Sequence, residues 1–197
     1  MKKVLCLTLA AVMVFALCAC GSKAPQPSAG LPNPLHDTTK DGIVEATGIS
    51  LDAPEGATDV QYFTIDGANG SSPIAQVIFT LDGKEFCYRA QATAVTSITA
   101  NVGQEGASED LAKALSDCTN VGAALAGYYY DWKSIALVDV SSREGVVAFN
   151  QGKEGFISWL DVVPGVLYSL SMRSGADQDL LMNTAELCFV PLQGDAG

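Results

Sequence analysis

The sequence is poor in positive charge and nearly free of histidine. Its 197 residues carry 11 Lys and Arg against 22 Asp and Glu, for a net charge of −11. Because nucleic-acid binding depends on Lys and Arg contacts to phosphates, this balance argues against a nucleic-acid partner. His36 is the one histidine, so zinc sites built on two histidines are excluded. We expect His36 to be a solvated linker residue and not a catalytic base.

Metal-binding motifs are missing as well. The residues after Cys20 contain no Cys-x-x-Cys pair, which is a common spacing of structural zinc ligands. The acidic segments near Asp66 and Asp177 lack the spaced oxygen ligands and terminal glutamate of a calcium loop. The sequence therefore predicts neither a metal site nor a cofactor.

One apolar run stands out, and it is short. Residues Val4–Ala19 follow two lysines and contain Thr8 as the one clearly polar residue. A membrane span needs about 20 apolar residues, so this run is typical of a signal peptide, which we place at residues 1–19. The segment that ends it, Leu17-Cys18-Ala19-Cys20-Gly21, resembles the lipobox of bacterial lipoproteins.

The lipobox resemblance implies a lipid anchor on Cys20. In lipoproteins the cysteine thiol receives diacylglycerol, with acyl chains such as palmitate, and a peptidase cuts just before it. The mature chain would then begin at Cys20, on the extracytoplasmic side of the cell membrane. The other interpretation is an ordinary secretory leader cut at a nearby small residue. Two acyl chains anchor a protein durably, so no further membrane signal is required.

A proline-rich segment separates the leader from the rest of the chain. Residues 20–34 hold four of the eight prolines and show no apolar periodicity, so we predict a disordered tether there. Residues 35–197 are predicted to form the folded domain. Because that domain is acidic, anionic lipid repels it, and contact with the membrane is expected to go through the lipid on Cys20.

The clearest local pattern in the domain is a hairpin. Ala75–Leu81 and Lys84–Ala90 flank Asp82-Gly83, a dipeptide that suits a two-residue type I′ turn. That turn fixes the register and gives one apolar and one mostly polar face. The predicted cross-strand pairs are Phe79–Phe86 and Val77–Tyr88 on the apolar face, and Ile78–Cys87, Gln76–Arg89 and Thr80–Glu85 on the other.

A second hairpin is predicted around Pro164-Gly165, a dipeptide that suits a type II turn. Its strands are Phe156–Val163 and Val166–Met172. With a two-residue loop the predicted pairs are Ile157–Met172, Trp159–Leu170 and Asp161–Tyr168.

The remaining patterns alternate between strand and helix. Strands are predicted at Asp59–Ile65, Ile135–Val140 and Gly145–Asn150. Helices are predicted at Thr38–Thr47, Ser108–Asp117 and Asp177–Leu187, each with candidate capping residues at its start. Together these elements predict an α+β domain, with a single antiparallel sheet built of hairpins and two or three helices packed on it.

Three segments of the domain are similar to an uncharacterised group of exported lipoproteins from anaerobic Gram-positive bacteria. They are Phe79–Ala90, Gly127–Trp132 and Trp159–Met172, and the Asn33-Pro34-Leu35 entry and acidic closing helix fit the same pattern. The resemblance covers most of the mature chain and implies fold and location, not activity. The small-residue stretch Val121–Gly127 departs from that group.

An aromatic run supplies the most suggestive candidate binding residues. On a strand, Tyr128, Tyr130 and Trp132 would share one face, which would form a platform for a sugar or a protein if exposed. The alternative interpretation is that these rings belong to the core.

Carboxylates beside tryptophans are the candidates for glycan chemistry. Asp131 adjoins Trp132 and Asp161 lies near Trp159, and glycosidases use two carboxyl groups across a cleft. Buried tryptophans with polar neighbours at strand ends explain the same residues.

Cysteines complete the candidates. With Cys20 lipidated, Cys87, Cys118 and Cys188 remain, so at least one cannot pair within the chain. We predict a Cys87–Cys188 disulfide, the alternative being reduced thiols buried as small apolar groups.

From these patterns we expect a membrane-anchored cell-surface lipoprotein without enzymatic activity, which binds a protein or an envelope ligand. One alternative is an enzyme that acts on cell-wall glycans through Asp131 or Asp161. Another is an envelope sensor or assembly factor.

Overall fold

The computed structural model of the chain describes residues 34–67, 70–94, 96–98 and 132–190. They belong to a compact unit that begins at Pro34. The elements in chain order are β1 (Leu35–Thr38), α1 (Lys40–Thr47), β2 (Thr58–Ile65), β3 (Ile74–Leu81), β4 (Lys84–Ala92), β5 (Ser134–Val140), β6 (Arg143–Phe149), β7 (Gly155–Asp161), β8 (Val166–Met172) and α2 (Gln178–Cys188). Several predictions lie outside the described residues: the signal peptide, Cys20, the tether, the Ser108–Asp117 helix, Cys118, Tyr128, Tyr130 and Asp131.

The strands form a single eight-stranded sheet in the order β1-β2-β3-β4-β8-β7-β6-β5. All neighbouring strands are antiparallel. Strands β2–β4 form one meander and strands β5–β8 form another, because consecutive strands pair within each group. Strand β8 then pairs with β4 and joins the two groups into one sheet. The predicted α+β architecture is confirmed at this level: one antiparallel sheet with helices packed on it.

The first hairpin has the predicted register. Asp82 and Gly83 both adopt positive φ, 50° and 73°, as a type I′ turn requires. Every predicted cross-strand pair is confirmed, including Phe79 opposite Phe86 and Gln76 opposite Arg89. The alternation of apolar and polar residues and the turn chemistry specify the same pairing, so local sequence was sufficient here.

The second hairpin has a different register from the predicted one. Its strands end at Asp161 and begin again at Val166, so the loop has four residues and not two. The Gly165 amide donates to the Asp161 carbonyl at 3.0 Å, and the Val163–Pro164 peptide is cis. The pairs are therefore Ile157–Leu170, Trp159–Tyr168 and Asp161–Val166. A shift of two residues leaves each side chain on the same face of the sheet.

Both helices begin at capping side chains. The Thr39 hydroxyl accepts from the Gly42 amide at 3.1 Å, and the Asp177 carboxylate accepts from the Leu180 amide at 2.8 Å. Helix α1 ends at Gly48, which is in the left-handed conformation that favours glycine. The predicted helices Thr38–Thr47 and Asp177–Leu187 are confirmed, with ends that agree to within two residues.

The helices cover one face of the sheet, and the main core lies between the helices and that face. Ile43 of α1 and Leu181 and Ala185 of α2 join this core. The sheet contributes the side chains that alternate toward the helices, among them Val77, Phe79, Phe86, Tyr88, Val147, Ile157, Trp159, Tyr168 and Leu170. No helix in the described ranges is both long enough and apolar enough to cross a bilayer.

The opposite face of the sheet, here called the distal face, carries a second apolar cluster. Its buried members come mainly from β6, β7 and β8: Ile98, Val146, Ala148, Phe156, Leu160 and Leu167. Because successive strand residues point to opposite faces, β7 and β8 are buried on both sides. The distal face is therefore not a solvated surface.

Strand β1 was not predicted. Leu35–Thr38 pairs with the end of β2 at the edge of the sheet, where we expected a linker. His36 is thus a strand residue, and its Nε2 lies 3.0 Å from Asp66 Oδ2. The segment is four residues long and exposed along most of its length, so it carries little of the apolar alternation that identifies a strand.

Candidate functional site

A row of polar side chains crosses the distal face at the centre of the sheet. Backbone register places its members opposite one another on four adjacent strands. We call these residues the polar row: Gln76 on β3, Arg89 on β4, Ser169 on β8 and Ser158 on β7. Since neighbouring strands lie about 4.8 Å apart, the row extends over roughly 15 Å.

All members of the polar row are buried. The exposed fractions are 3% for Gln76, 8% for Arg89, 1% for Ser169 and 0% for Ser158. Arginine is rarely buried to this extent unless it is paired. In the described part of the chain, the ion pairs involve other residues, and no carboxylate neutralises Arg89.

Gln76 satisfies one side of the Arg89 guanidinium. Arg89 Nε donates to Gln76 Oε1 at 2.7 Å, a bond that joins the two side chains of the row on β3 and β4. Two polar atoms of the row remain unpartnered, namely Arg89 Nη1 on β4 and Ser158 Oγ on β7. An unsatisfied buried group costs about 1–3 kcal/mol, and a charged one costs more. The row therefore holds unused donors at a position that would stabilise an anion.

Cys87 and Ser171 lie beside the row, two residues along from Arg89 and Ser169. They are opposite each other in the β4–β8 register, and the Cys87 thiol lies 3.6 Å from Gln76 Oε1. Burial raises the pKa of Cys87, while the neighbouring positive charges of Arg89 and Arg173 act in the opposite direction. The thiolate, which is the reactive form, is thus disfavoured.

The apolar cluster of the distal face borders the row at Ser158. Phe156 and Leu160 flank Ser158 along β7, and Val146 lies opposite it on β6. Trp132 packs against this cluster, with its ring centroid 5.4 Å from that of Phe156 in an edge-to-face arrangement. The polar row, with its guanidinium and hydroxyl groups, therefore adjoins the apolar cluster at Ser158.

The predicted aromatic platform is described only at Trp132. That residue precedes β5 and is partly buried, so it belongs to the edge of the distal cluster. Tyr128 and Tyr130 lie outside the described residues.

Of the two carboxylates considered for glycan chemistry, Asp161 lies among the described residues. It forms an ion pair with Arg143. Arg143 Nε lies 3.4 Å from Asp161 Oδ1, and the guanidinium stacks on Phe189 at 4.9 Å. Asp161 and Trp159 are both buried, so Trp159 offers no exposed ring on which a sugar would stack. This geometry does not favour Asp161 as a catalytic acid.

The predicted Cys87–Cys188 disulfide is not formed. Both residues are free thiols, and they lie on different faces of the sheet. Cys188 is part of the main core under α2, whereas Cys87 contacts Gln76 on the distal face. Burial raises the pKa of Cys188 to about 12. The alternative interpretation of thiols that fill space fits both positions better.

Among the described residues, no three His, Cys, Asp or Glu side chains gather as they would around a metal ion. The exposed His36–Asp66 pair has no nucleophile bonded to it in the described ranges.

Sequence reasoning missed the polar row, although one signal for it was present. The predicted Gln76–Arg89 pair placed the two side chains together on the face that the alternation marks as mostly polar, but that pattern did not show that the face is buried. The pairing of β4 with β8 joins residues about 80 positions apart, and no local pattern encodes it.

Comparison of this chain with protein-family models, with curated proteins and with solved structures gives no match. The function must therefore be argued from the chain's own residues.

Proposed function

We propose that this protein is an extracytoplasmic lipoprotein, anchored through Cys20, whose domain is a binding module. Its ligand would carry an anionic group that pairs with Arg89 of the polar row. The location is supported by the lipobox pattern at residues 17–21. The binding role is supported by Arg89, a nearly fully buried guanidinium with an unpartnered nitrogen.

Arg89 supports binding because a structural role would require a partner. Replacing a buried ion pair by apolar groups is often neutral, whereas a single buried charge is strongly destabilising. No carboxylate pairs with Arg89 in the described part of the chain, so an arginine buried in the centre of the sheet is best explained by an anion that arrives from outside. A ligand that binds only the folded state would also stabilise it.

The tether suits this role. Fourteen residues after Cys20 reach about 40 Å when extended as polyproline. The domain would be held clear of the membrane, and its acidic character would keep it off anionic lipid.

Native mass spectrometry of the full chain, purified from the cells that make it, tests the binding role. We expect a non-covalent adduct on the wild-type protein that is lost in Arg89→Met. Arg173→Met is the matched control, because Arg173 is an exposed arginine near the same cysteine, and it should retain the adduct. An adduct of equal abundance in all three proteins would contradict binding at Arg89.

A further inference from the structure

We infer that β5 is a self-pairing edge, through which two copies of this chain form a symmetric dimer. The two β5 strands would run antiparallel, with Lys133 of one copy opposite Asp139 of the second copy. The sheet would then continue from one copy into the other. This inference goes beyond the proposed binding role, and it depends neither on Arg89 nor on the lipid on Cys20.

The backbone of β5 offers hydrogen-bonding groups at the edge of the sheet. Among the described strands, β5 lies at one end of the sheet and pairs with β6 alone. Val140 lies opposite Arg143 across the two-residue turn Ser141-Ser142, in which both φ angles are positive. The closing pair of such a turn is hydrogen-bonded, and bonded pairs alternate along the ladder. The even-numbered residues of β5 therefore bond to β6, and the odd-numbered residues direct their amides and carbonyls outward.

The side chains of the odd-numbered residues are exposed. Ile135 and Leu137 are 41% and 48% exposed, and Asp139 is exposed as well. Proteins usually protect such an edge with proline, lysine or a very short strand, but β5 has seven residues and contains neither proline nor lysine. At the other end of the described sheet, β1 has four residues and carries His36 and Asp37. Of these two edges, β5 is therefore the one suited to pairing.

Charge selects the register of the two β5 strands. Backbone bonds form between copies when odd-numbered residues lie opposite one another, because these carry the outward groups. One such register places Ile135 opposite Leu137 of the second copy, and the two residues would exchange both backbone hydrogen bonds. The same register places Lys133, an exposed residue just before the strand, opposite Asp139. The two-fold axis passes between the paired Ala136 residues and repeats each contact.

Other registers lose the ion pairs. A shift by two residues would place Asp139 opposite Ile135, or Lys133 opposite Leu137. The loss matters because a chain with a net charge of −11 repels its own copies over most of its surface. Contact between copies therefore needs a cation opposite a carboxylate, which the proposed register supplies twice. One pair of strands is a small interface of the transient kind, so the measurement must trap it.

Cysteine crosslinking in intact cells that make the full chain tests this inference. Ala136 would face its own copy in a non-hydrogen-bonded pair, with Cα atoms about 4.5 Å apart, which is within the range of a disulfide. We expect Ala136→Cys to give a disulfide-linked dimer on a non-reducing immunoblot after brief oxidation. Leu137→Cys is offset from its copy by two residues and should give at least fivefold less dimer. Both yields are measured above that of the wild-type chain.

Charge exchange tests the ion pairs. In the Ala136→Cys chain, Lys133→Asp or Asp139→Lys alone would place like charges opposite each other and should lower the dimer yield at least threefold. The two changes together exchange the charges and should restore the yield. Arg173→Asp is the control, because Arg173 is exposed and follows β8, three strands away from β5. It alters net charge as Lys133→Asp does and should leave the yield unchanged.

Sedimentation velocity of the full chain keeps the test decisive if Ala136→Cys fails to fold. The chain is measured without the added cysteine, in detergent with micelles in excess over protein. We expect the wild type to form dimers as its concentration rises. Lys133→Asp should lower the dimer fraction at least threefold, and adding Asp139→Lys should restore it.

Three results would overturn the inference. Equal crosslinking of Ala136→Cys and Leu137→Cys would show contact without the proposed register. Single charge reversals that leave the dimer unchanged would show that Lys133 and Asp139 do not face each other. Absence of a dimer in both measurements would exclude self-pairing. The Arg89-dependent adduct is measured separately, so the binding role can fail or survive independently.

Discussion

Arg89 is the side chain on which the proposed binding role depends most. Its backbone position is that of an ordinary strand residue, and its pairing with Gln76 follows from a two-residue turn six residues away. The β4–β8 pairing brings Ser169 opposite it, and the arginine side chain is buried. The stability of the domain should therefore depend on what occupies the distal face.

Ser142 adopts a left-handed backbone conformation, which is unfavourable for a residue with a side chain. It has φ of 66°, and its neighbour Ser141 has φ of 46°, in the turn between β5 and β6. A non-glycine residue in the left-handed region costs about 1–2 kcal/mol. Ser141 is compensated in part by Glu186, which accepts from its amide at 2.7 Å and from its hydroxyl.

We therefore expect Ser142→Gly to raise the free energy of unfolding by about 1 kcal/mol. The reciprocal change, Gly83→Ser in the equivalent turn between β3 and β4 (φ 73°), should lower it by a similar amount. Urea denaturation of both variants measures the effect. A lower stability for Ser142→Gly would show that the turn is not strained.

The thiol of Cys188 should be unreactive in the folded protein. Burial raises its pKa to about 12, so the thiolate fraction at pH 8 is on the order of 10⁻⁴. We expect negligible iodoacetamide labelling of Cys188 in native protein at pH 8, and rapid labelling in urea, as followed by peptide mass spectrometry. Equal rates in the two conditions would contradict the buried position.

At the scale of elements, the two helices depend on their first residues. Helix α2 has one capping carboxylate, Asp177, and packs Leu181 and Ala185 into the main core. We expect Asp177→Ala to lower the free energy of unfolding by about 1 kcal/mol. Asp177→Asn retains a capping oxygen and should cost much less. If the two variants were equally destabilised in thermal unfolding, the cap would not be the cause.

A polar cluster around Asp52 links the segment after α1 to strand β2 by hydrogen bonds. Asp52 accepts from Tyr62 at 2.6 Å and from Lys40. Desolvation raises the pKa of Asp52, but the hydrogen bonds from Lys40 and Tyr62 outweigh it, and the net pKa is lowered. A lowered folded-state pKa contributes stability above the unfolded value of 3.8, and this contribution is lost as the pH falls through the folded-state pKa.

The loss of stability between pH 7 and pH 3 should therefore be smaller in Asp52→Asn than in the wild type. Glu45→Gln, which changes an exposed carboxylate on α1, is the control and should follow the wild type. Urea midpoints at the two pH values provide the comparison. An unchanged acid dependence in Asp52→Asn would contradict a role for this cluster.

The elements also show which parts of the structure are readable from sequence. Asp82-Gly83 and strict alternation specified the first hairpin completely. Pro164-Gly165 did not, because Gly165 closes a four-residue loop by bonding to Asp161. Strand β1 lacks an apolar face and was missed. The distal face escaped prediction because buried serines and an arginine look like solvent-facing residues until the strands on both sides of them are known.

At the scale of the whole molecule, the proposed lipid anchor on Cys20 would set where the domain operates. We expect Cys20→Ala to abolish incorporation of labelled palmitate and cleavage before residue 20. Cys18→Ala, two residues earlier in the same segment, should be labelled and processed normally. Gel electrophoresis of labelled cells and detergent partitioning measure both properties. A Cys20→Ala protein that is processed and partitions like its parent would contradict the lipoprotein assignment.

The position of β8 has a consequence for how the domain is completed. This strand is the last in sequence among those that the structure describes, yet it lies in the interior of the sheet, between β4 and β7. Until Val166–Met172 is in place, β4 and β7 each present an open edge of unpaired amides and carbonyls, which invites pairing with other chains. A truncated chain that ends before β8 would thus expose two unpaired strand edges at once. Its hazard to the cell would be aggregation, more than the simple absence of an activity.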